Sequence, residues 1–184
     1  MDTWSPDRGK TTVGAIMEAV QPWITVADGV TVSGGEPFDQ PEALKALLSN
    51  LRHAGADDIF VYSGHPFEEI EATVAAMEGL IDALMSDPFE LETAQTLALR
   101  GSDNQRLTLL TAAGREHFAG YERPATGGDR RFDVLVDGDG SAWLAGIPDR
   151  GDFYRLRAML EAAGHKIVTS EDRRIGRLNR AEPS

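Results

Sequence analysis

Residues 33–37 read Ser-Gly-Gly-Glu-Pro and follow a short β-rich run that starts at Gly29. Two glycines after a strand let a ligand approach the backbone closely. Pro37 fixes its own backbone and biases Glu36 towards an extended shape. Ser33, Gly34, Gly35, Glu36 and Pro37 would then form a rigid ledge of backbone carbonyls beside one carboxylate. That chemistry suits a cationic amine. It does not suit a phosphate, which calls for amide donors and a lysine, and the dinucleotide and P-loop glycine fingerprints are both absent. A plain strand-to-helix turn is the competing reading of the same letters.

Other residues offer less. The histidines at 53, 65, 117 and 165 show no metal-ligand spacing. His65 is kept as a candidate because it follows Ser63-Gly64 at the end of a strand-like run. Asp137, Asp139 and Ser141 lie in a sequence faintly like a calcium loop. Its sixth position is Ala142 rather than glycine and no glutamate is suitably placed, so a hairpin turn is expected. Arg100 to Gln105 are dense in donors and acceptors, as an ordinary polar loop also is. The chain has no cysteine. Within this chain that excludes disulfides, a thiol nucleophile, zinc–thiolate sites and cysteine-ligated iron–sulfur clusters.

The elements that must position these residues follow from periodicity. Val13, Ile16, Met17 and Val20 predict a helix behind Thr11 or Thr12, ending near Pro22. Leu44, Leu47, Leu48 and Leu51 give the buried stripe of a second helix that Gly55 stops. Phe67, Ile70, Val74 and Met77 give that of a third. Strands are predicted after Gly29, at "DIFVYSG" and at "LIDALMS". The order α-β-α-β-α-β over 11–86, with short and nearly all-apolar strands, predicts a parallel sheet covered on both faces. Ligands of such folds sit at the carboxyl ends of the strands. Those ends are Ser33 to Glu36, Ser63 to His65 and Ser86 to Pro88.

Residues 87–105 read as irregular and "RLTLL" as a short strand. Residues 114–131 have the turn-rich composition of a linker. Beyond it, 132–170 predict a small ββαβ element: a hairpin about the Asp-Gly turn, a helix carrying Leu156, Met159, Leu160 and Ala163, and a last strand over 165–170. The basic C-terminus reads as a frayed tail. The expected organisation is a core over 1–113, a linker over 114–131 and a small α+β element with its tail over 132–184.

The 184 residues suffice for a sizeable core, with 41% hydrophobic residues. A net charge of −12 repels phosphate backbones, so no nucleic acid partner is expected. No apolar run approaches bilayer-spanning length and no secretory signal opens the chain, so a cytoplasmic protein with no membrane partner is expected.

The segment "GVTVSGGEPFDQPEALKALL" resembles the strand-two segment of radical S-adenosylmethionine enzymes, whose Gly-Gly-Glu-Pro motif binds the amino group of S-adenosylmethionine. The closest likeness is to the small activases of anaerobic ribonucleotide reductase and pyruvate formate-lyase. "VYSGHPFEEI" and "IDALMSDPFELE…LRGSDNQR" are similar to the blocks that follow in those activases. The resemblance covers 1–110 and does not extend to 125–184. It implies an incomplete radical-SAM (β/α) partial barrel with mainly parallel strands, within the α/β class. It also implies that Gly34, Gly35 and Glu36 hold the methionyl amine, with Ser33 and Ser63 lining the site. Asp82, Asn104 and Gln105 are further implied candidates.

The departure from the family lies at the start. Its members hold a 4Fe–4S cluster on a C-x-x-x-C-x-x-C loop, then continue to Thr-Trp and a proline turn. This chain opens "MDTWSP", so the cluster loop and first strand are missing. Either the chain is N-terminally truncated or the protein has lost its cluster. Truncation is expected, because a sheet without its first strand exposes an apolar edge. In complete form, the resemblance implies reductive cleavage of S-adenosylmethionine, a 5′-deoxyadenosyl radical and a glycyl-radical enzyme as partner. The chain as given would be inactive. The alternative is a non-catalytic remnant that binds a nucleoside-like ligand or a protein partner. In either case the ledge is expected to matter for ligand and little for folding.

Overall fold

The structure is a computed structural model that describes residues 10–129, 132–136, 142–146 and 151–165. The opening "MDTWSP", the Asp-Gly turn, the expected last strand beyond His165 and the basic tail lie outside the described residues. The described chain falls into two compact units, one within Pro6–Asp129 and one beyond it.

Helix α1 spans Val13–Ile24, and Thr12 caps it by accepting the Ala15 amide at 3.1 Å. The helix ends at Ile24, close to Pro22 as expected. Pro22 lies in the last turn, where one lost amide donor is the main cost. Strand β1 is Val30–Val32 and α2 is Pro41–His53, with proline at its first turn. Gly55 (φ +95°) ends α2. Strand β2 is Ile59–Tyr62, α3 is Phe67–Ala75, β3 is Ala83–Ser86 and β4 is Arg106–Leu109.

The sheet has the order β1-β2-β3-β4. Its first three strands are parallel, with Thr31 opposite Phe60 and Val61 opposite Leu84. β4 returns antiparallel, with Ser86 opposite Arg106. The result is a mixed α/β fold with an open, mostly parallel four-stranded sheet, as the alternation of elements predicts. Alternate residues face opposite sides. Ile59, Val61 and Leu84 join Leu44, Leu48, Leu51, Ile70 and Val74 beneath the helices. Phe60, Ala83, Met85 and Leu107 form a second, smaller cluster with Phe118 and Tyr121. Each fully buried Leu or Ile contributes roughly 1.5–3 kcal/mol.

The turn-rich stretch after Leu110 is not a bare connection. Helix α4 spans Ala112–Phe118, capped by Thr111 through the Gly114 amide at 3.0 Å. A 3-10 turn continues it over Ala119–Tyr121. Phe118 packs on Phe60 with ring centroids 5.0 Å apart. A seven-residue helix that starts Ala-Ala-Gly is too short to show an apolar stripe, so composition alone reads it as linker. The contact-defined unit runs on to Asp129.

In the second unit, β5 (Phe132–Val136) pairs antiparallel with β6 (Ala142–Gly146), and α5 spans Asp152–Ala162 before Gly164 at φ +87°. Among the described residues no helix is long and apolar enough to cross a membrane.

Candidate functional site at the carboxyl ends of the strands

Parallel pairing brings the exits of β1, β2 and β3 to one edge of the sheet. After β1, Gly34 and Gly35 take φ +93° and +60°. These are left-handed conformations that side chains disfavour. A Cβ built on either glycine meets nothing within 4 Å, so the ledge stands open to an approaching group. Ser33 is exposed beside them. Glu36 is extended (φ −119°, ψ 109°), as its position before Pro37 demands, and it caps a 3-10 turn over Pro37–Asp39.

The Glu36 carboxylate binds this edge together. Its Oε1 accepts the Phe38 amide at 3.0 Å and the Ser63 hydroxyl at 2.9 Å. Its Oε2 accepts the Gly64 amide at 2.7 Å. A carboxylate offers about four acceptor positions, so most of its capacity is spent within the chain. Ser63 is buried, its amide donates to the Met85 carbonyl at 2.8 Å, and its Oγ accepts the His65 amide at 3.1 Å. Sequence reading brought Glu36 and Ser63 to one site but missed their direct bond. Strand–Ser-Gly at β2 and strand–Ser-Gly-Gly at β1 are adjacent parallel exits, which was the available signal.

His65 Nε2 lies 2.9 Å from Asp39 Oδ1, and Nδ1 lies 3.9 Å from Glu69. The hydrogen bond to Asp39 raises the His65 pKa above its ordinary value, and the charges of Glu36, Asp39 and Glu69 add to it. The exit of β3 carries Asp87 at φ 78°, unusual for a residue with a side chain. The Asp87 amide donates to the His65 carbonyl at 2.9 Å, and its carboxylate lies 3.5 Å from Arg106. Arg106 also pairs with Glu68 at 2.7 Å. Glu36, Asp39, Glu68, Glu69 and Asp87 thus give this edge an acidic character.

Gln105 and Asn104 reach the same edge as braces of the loop after β3. Gln105 Oε1 accepts the Gly101 and Ser102 amides at 2.8 and 3.2 Å, and its Nε2 donates to the Asp87 carbonyl at 3.2 Å. Asn104 Nδ2 donates to the Pro88 carbonyl at 2.7 Å, while its Oδ1 is buried without a partner. Arg100, buried, reads inward to the Gln105 carbonyl and to Glu122.

Asp82 is not brought to this edge. It precedes β3, at the amino end of the sheet, and is 2% exposed. Its carboxylate accepts from Arg52, from the Ile59 amide at 2.7 Å and from the Thr111 hydroxyl at 2.6 Å. Its backbone carbonyl accepts the Leu110 amide at 2.8 Å. Asp82 ties α2, β2, β3 and the start of α4 together, so its role here is as a structural carboxylate away from the ledge.

Among the described residues no group of three His, Cys, Asp or Glu is placed to hold a metal ion. A family model described as a 4Fe-4S single cluster domain matches residues 2–108. No curated protein and no solved structure matches the chain. The residues present do not fit a 4Fe–4S cluster: its irons are held by thiolates, and the chain has no cysteine.

Proposed function

This chain belongs to the 4Fe-4S single cluster domain family, and from that premise we propose that it is a radical S-adenosylmethionine activase-like protein whose own residues supply the sulfonium ligand's binding edge. The observation that carries the reading is the ledge. Gly34 and Gly35 hold left-handed backbone with open space above them, while Glu36 is locked between the exits of β1 and β2. The carbonyls of Ser33, Gly34 and Gly35, with the remaining acceptor position of Glu36, offer an ammonium group its hydrogen bonds. The acidic edge favours a ligand that carries both an ammonium and a sulfonium charge. Pro37 holds the turn, and Ser63 keeps the carboxylate in place.

In the enzymes that the motifs resemble, such a site works beside a cluster to make a 5′-deoxyadenosyl radical for a glycyl-radical partner. This chain's residues are assigned binding and orientation only. Thiolates for a cluster would have to come from outside the 184 residues. The absence of cysteine also favours a second reading, a cluster-free binder of a nucleoside-like ligand or a protein partner.

Ligand-side chemistry tests the proposal without disturbing the fold. Titration of the chain with S-adenosylmethionine, followed by amide NMR, is expected to shift Gly34, Gly35, Glu36 and Gly64. Methionine, which keeps the amine, shifts the same amides. 5′-Deoxyadenosine, which lacks it, leaves Gly34 and Gly35 unmoved. A response to 5′-deoxyadenosine alone supports the second reading, and silence towards all of them removes the site.

A further inference from the structure

A cavity of about 250 Å³ opens on the sheet face that carries Phe60, away from the Glu36 ledge. Asp28, Thr31, Asp58, Phe60, Tyr62 and Phe118 line it. Thr31 and Phe60 are register partners, so both project from one face of β1 and β2. Asp28 and Asp58 precede those strands, at the amino end of the sheet. Gly29 lets the two acidic segments close up: a Cβ there would lie 3.1 Å from the Asp58 Cβ. The rings form a continuous group, with Phe60 4.8 Å from Tyr62 and 5.0 Å from Phe118, centroid to centroid.

Asp58 is the unusual member. Its Oδ2 lies 3.0 Å from His117 Nδ1, while its Oδ1 is enclosed and has no hydrogen-bond partner. A carboxylate oxygen left unpaired in an enclosed place is destabilising. The terminal torsion of an aspartate is broad and easily turned, so a donor entering the cavity can be met by Oδ1. Aromatic faces attract cations, and the net charge of −12 favours them at any distance that salt does not screen. With Oδ2 at His117, a cation is left Oδ1; a planar amidinium or guanidinium can donate to it and, unlike a point ammonium, also lies flat against a ring. The volume is below the roughly 300–1,000 Å³ of sites for drug-sized ligands. One ring or one side-chain head group fits it.

We infer that this cavity is a binding site for a planar organic cation, an amidinium or guanidinium group seated on Asp58 among the rings of Phe60, Tyr62 and Phe118. The cation is either a free small molecule or the arginine head group of another polypeptide, and the chemistry is shared. The site is independent of the Glu36 ledge and stands or falls separately from it.

The test uses the 184-residue chain with benzamidine, its neutral isostere benzamide, and the tripeptide Gly-Arg-Gly. Benzamidine is expected to shift the amides of Thr31, Asp58 and Phe60 and to bind about tenfold or more tighter than benzamide, the effect of one charge-assisted pair. Asp58→Asn removes that preference and leaves benzamide binding as it was. Asp57→Asn makes the same charge change at an exposed neighbour and keeps the preference. Thr31→Trp, on an exposed strand position, fills the cavity and abolishes both ligands while the thermal melt stays near the parent's. Binding of the tripeptide in competition with benzamidine identifies a polypeptide source. Binding of benzamidine alone identifies a small molecule. Equal affinity for benzamidine and benzamide, or indifference to Asp58→Asn, overturns the proposal and leaves an apolar gap.

Discussion

The Glu36 Oε2 accepts the Gly64 amide at 2.7 Å and Oε1 accepts the Ser63 hydroxyl at 2.9 Å, so the loop leaving β1 is tied to the loop leaving β2 by both oxygens of one carboxylate. Those bonds make Glu36 part of the fold as well as part of the ledge. In Glu36→Gln, Oε1 can still serve Phe38 and Ser63, but an amide NH₂ then faces the Gly64 N–H, donor against donor. A loss of about 1–3 kcal/mol of stability is expected, read as a lower urea midpoint. Ser63→Ala should cost less in the Glu36→Gln background than in the parent, because the two share one network. Parent-like melting of Glu36→Gln would return the carboxylate to a purely ligand-facing role.

Gly114 tests the packing of α4. A Cβ on Gly114 would lie 2.0 Å from the Asp82 carbonyl oxygen and 2.7 Å from its carbon. Both are backbone atoms and cannot rotate away. Gly114→Ala must therefore push α4 off β3, at a cost of about 3 kcal/mol or more. Helix propensity alone predicts the opposite sign, since alanine is favoured over glycine in a helix by about 1 kcal/mol. Equilibrium unfolding of the variant decides between them.

These two residues mark what the sequence makes legible. The ledge could be read because its information is local: glycine freedom, proline rigidity and the end of an apolar run. The parallel sheet could be read because its strands are short, apolar and separated by amphipathic helices. Gly114 could not, because its neighbour Asp82 is 32 positions away in sequence (114 − 82) and only the fold brings them together. Asp82, a candidate by resemblance alone, illustrates a related limit. A carboxylate beside a strand reads alike at either end, and the amino-end position shows only when Arg52, Ile59 and Thr111 converge on it. The Asp58 cavity has no motif at all, since its lining comes from β1, β2 and the segments that precede them, from Leu99 in the loop after β3, and from α4.

His65 gives a pH signature of the candidate site. Its hydrogen bond to Asp39 raises its pKa, so the folded state binds the proton more tightly than the unfolded one. The stabilisation is complete below the ordinary histidine value of about 6.5 and is lost as pH rises through the higher folded value. The His65 ring resonance should titrate above the range of an ordinary histidine. Asp39→Asn should bring that midpoint down and flatten stability against pH across the same window. An unchanged midpoint in Asp39→Asn would show that the 2.9 Å contact carries no proton-linked energy.

The last expectation concerns iron. Cluster irons are held by thiolates, and this chain has none. The polar groups at the ledge are already engaged: Glu36 with Phe38, Ser63 and Gly64, and His65 with Asp39. The chain expressed alone should carry far less than one cluster's iron and sulfide per molecule. Anaerobic incubation with iron and sulfide should yield no thiolate-to-iron charge-transfer absorption. The ledge residues are serine, glycine and glutamate, which do not change with redox state. Binding of S-adenosylmethionine by this chain should therefore be the same in air, under reductant and with a chelator present. If affinity instead rises with reconstituted iron and sulfide, a cluster is being held without cysteine and the ligand argument fails. If binding is unchanged and the ledge amides still shift, amine recognition at Gly34 and Gly35 is separable from the cluster that the family is named for.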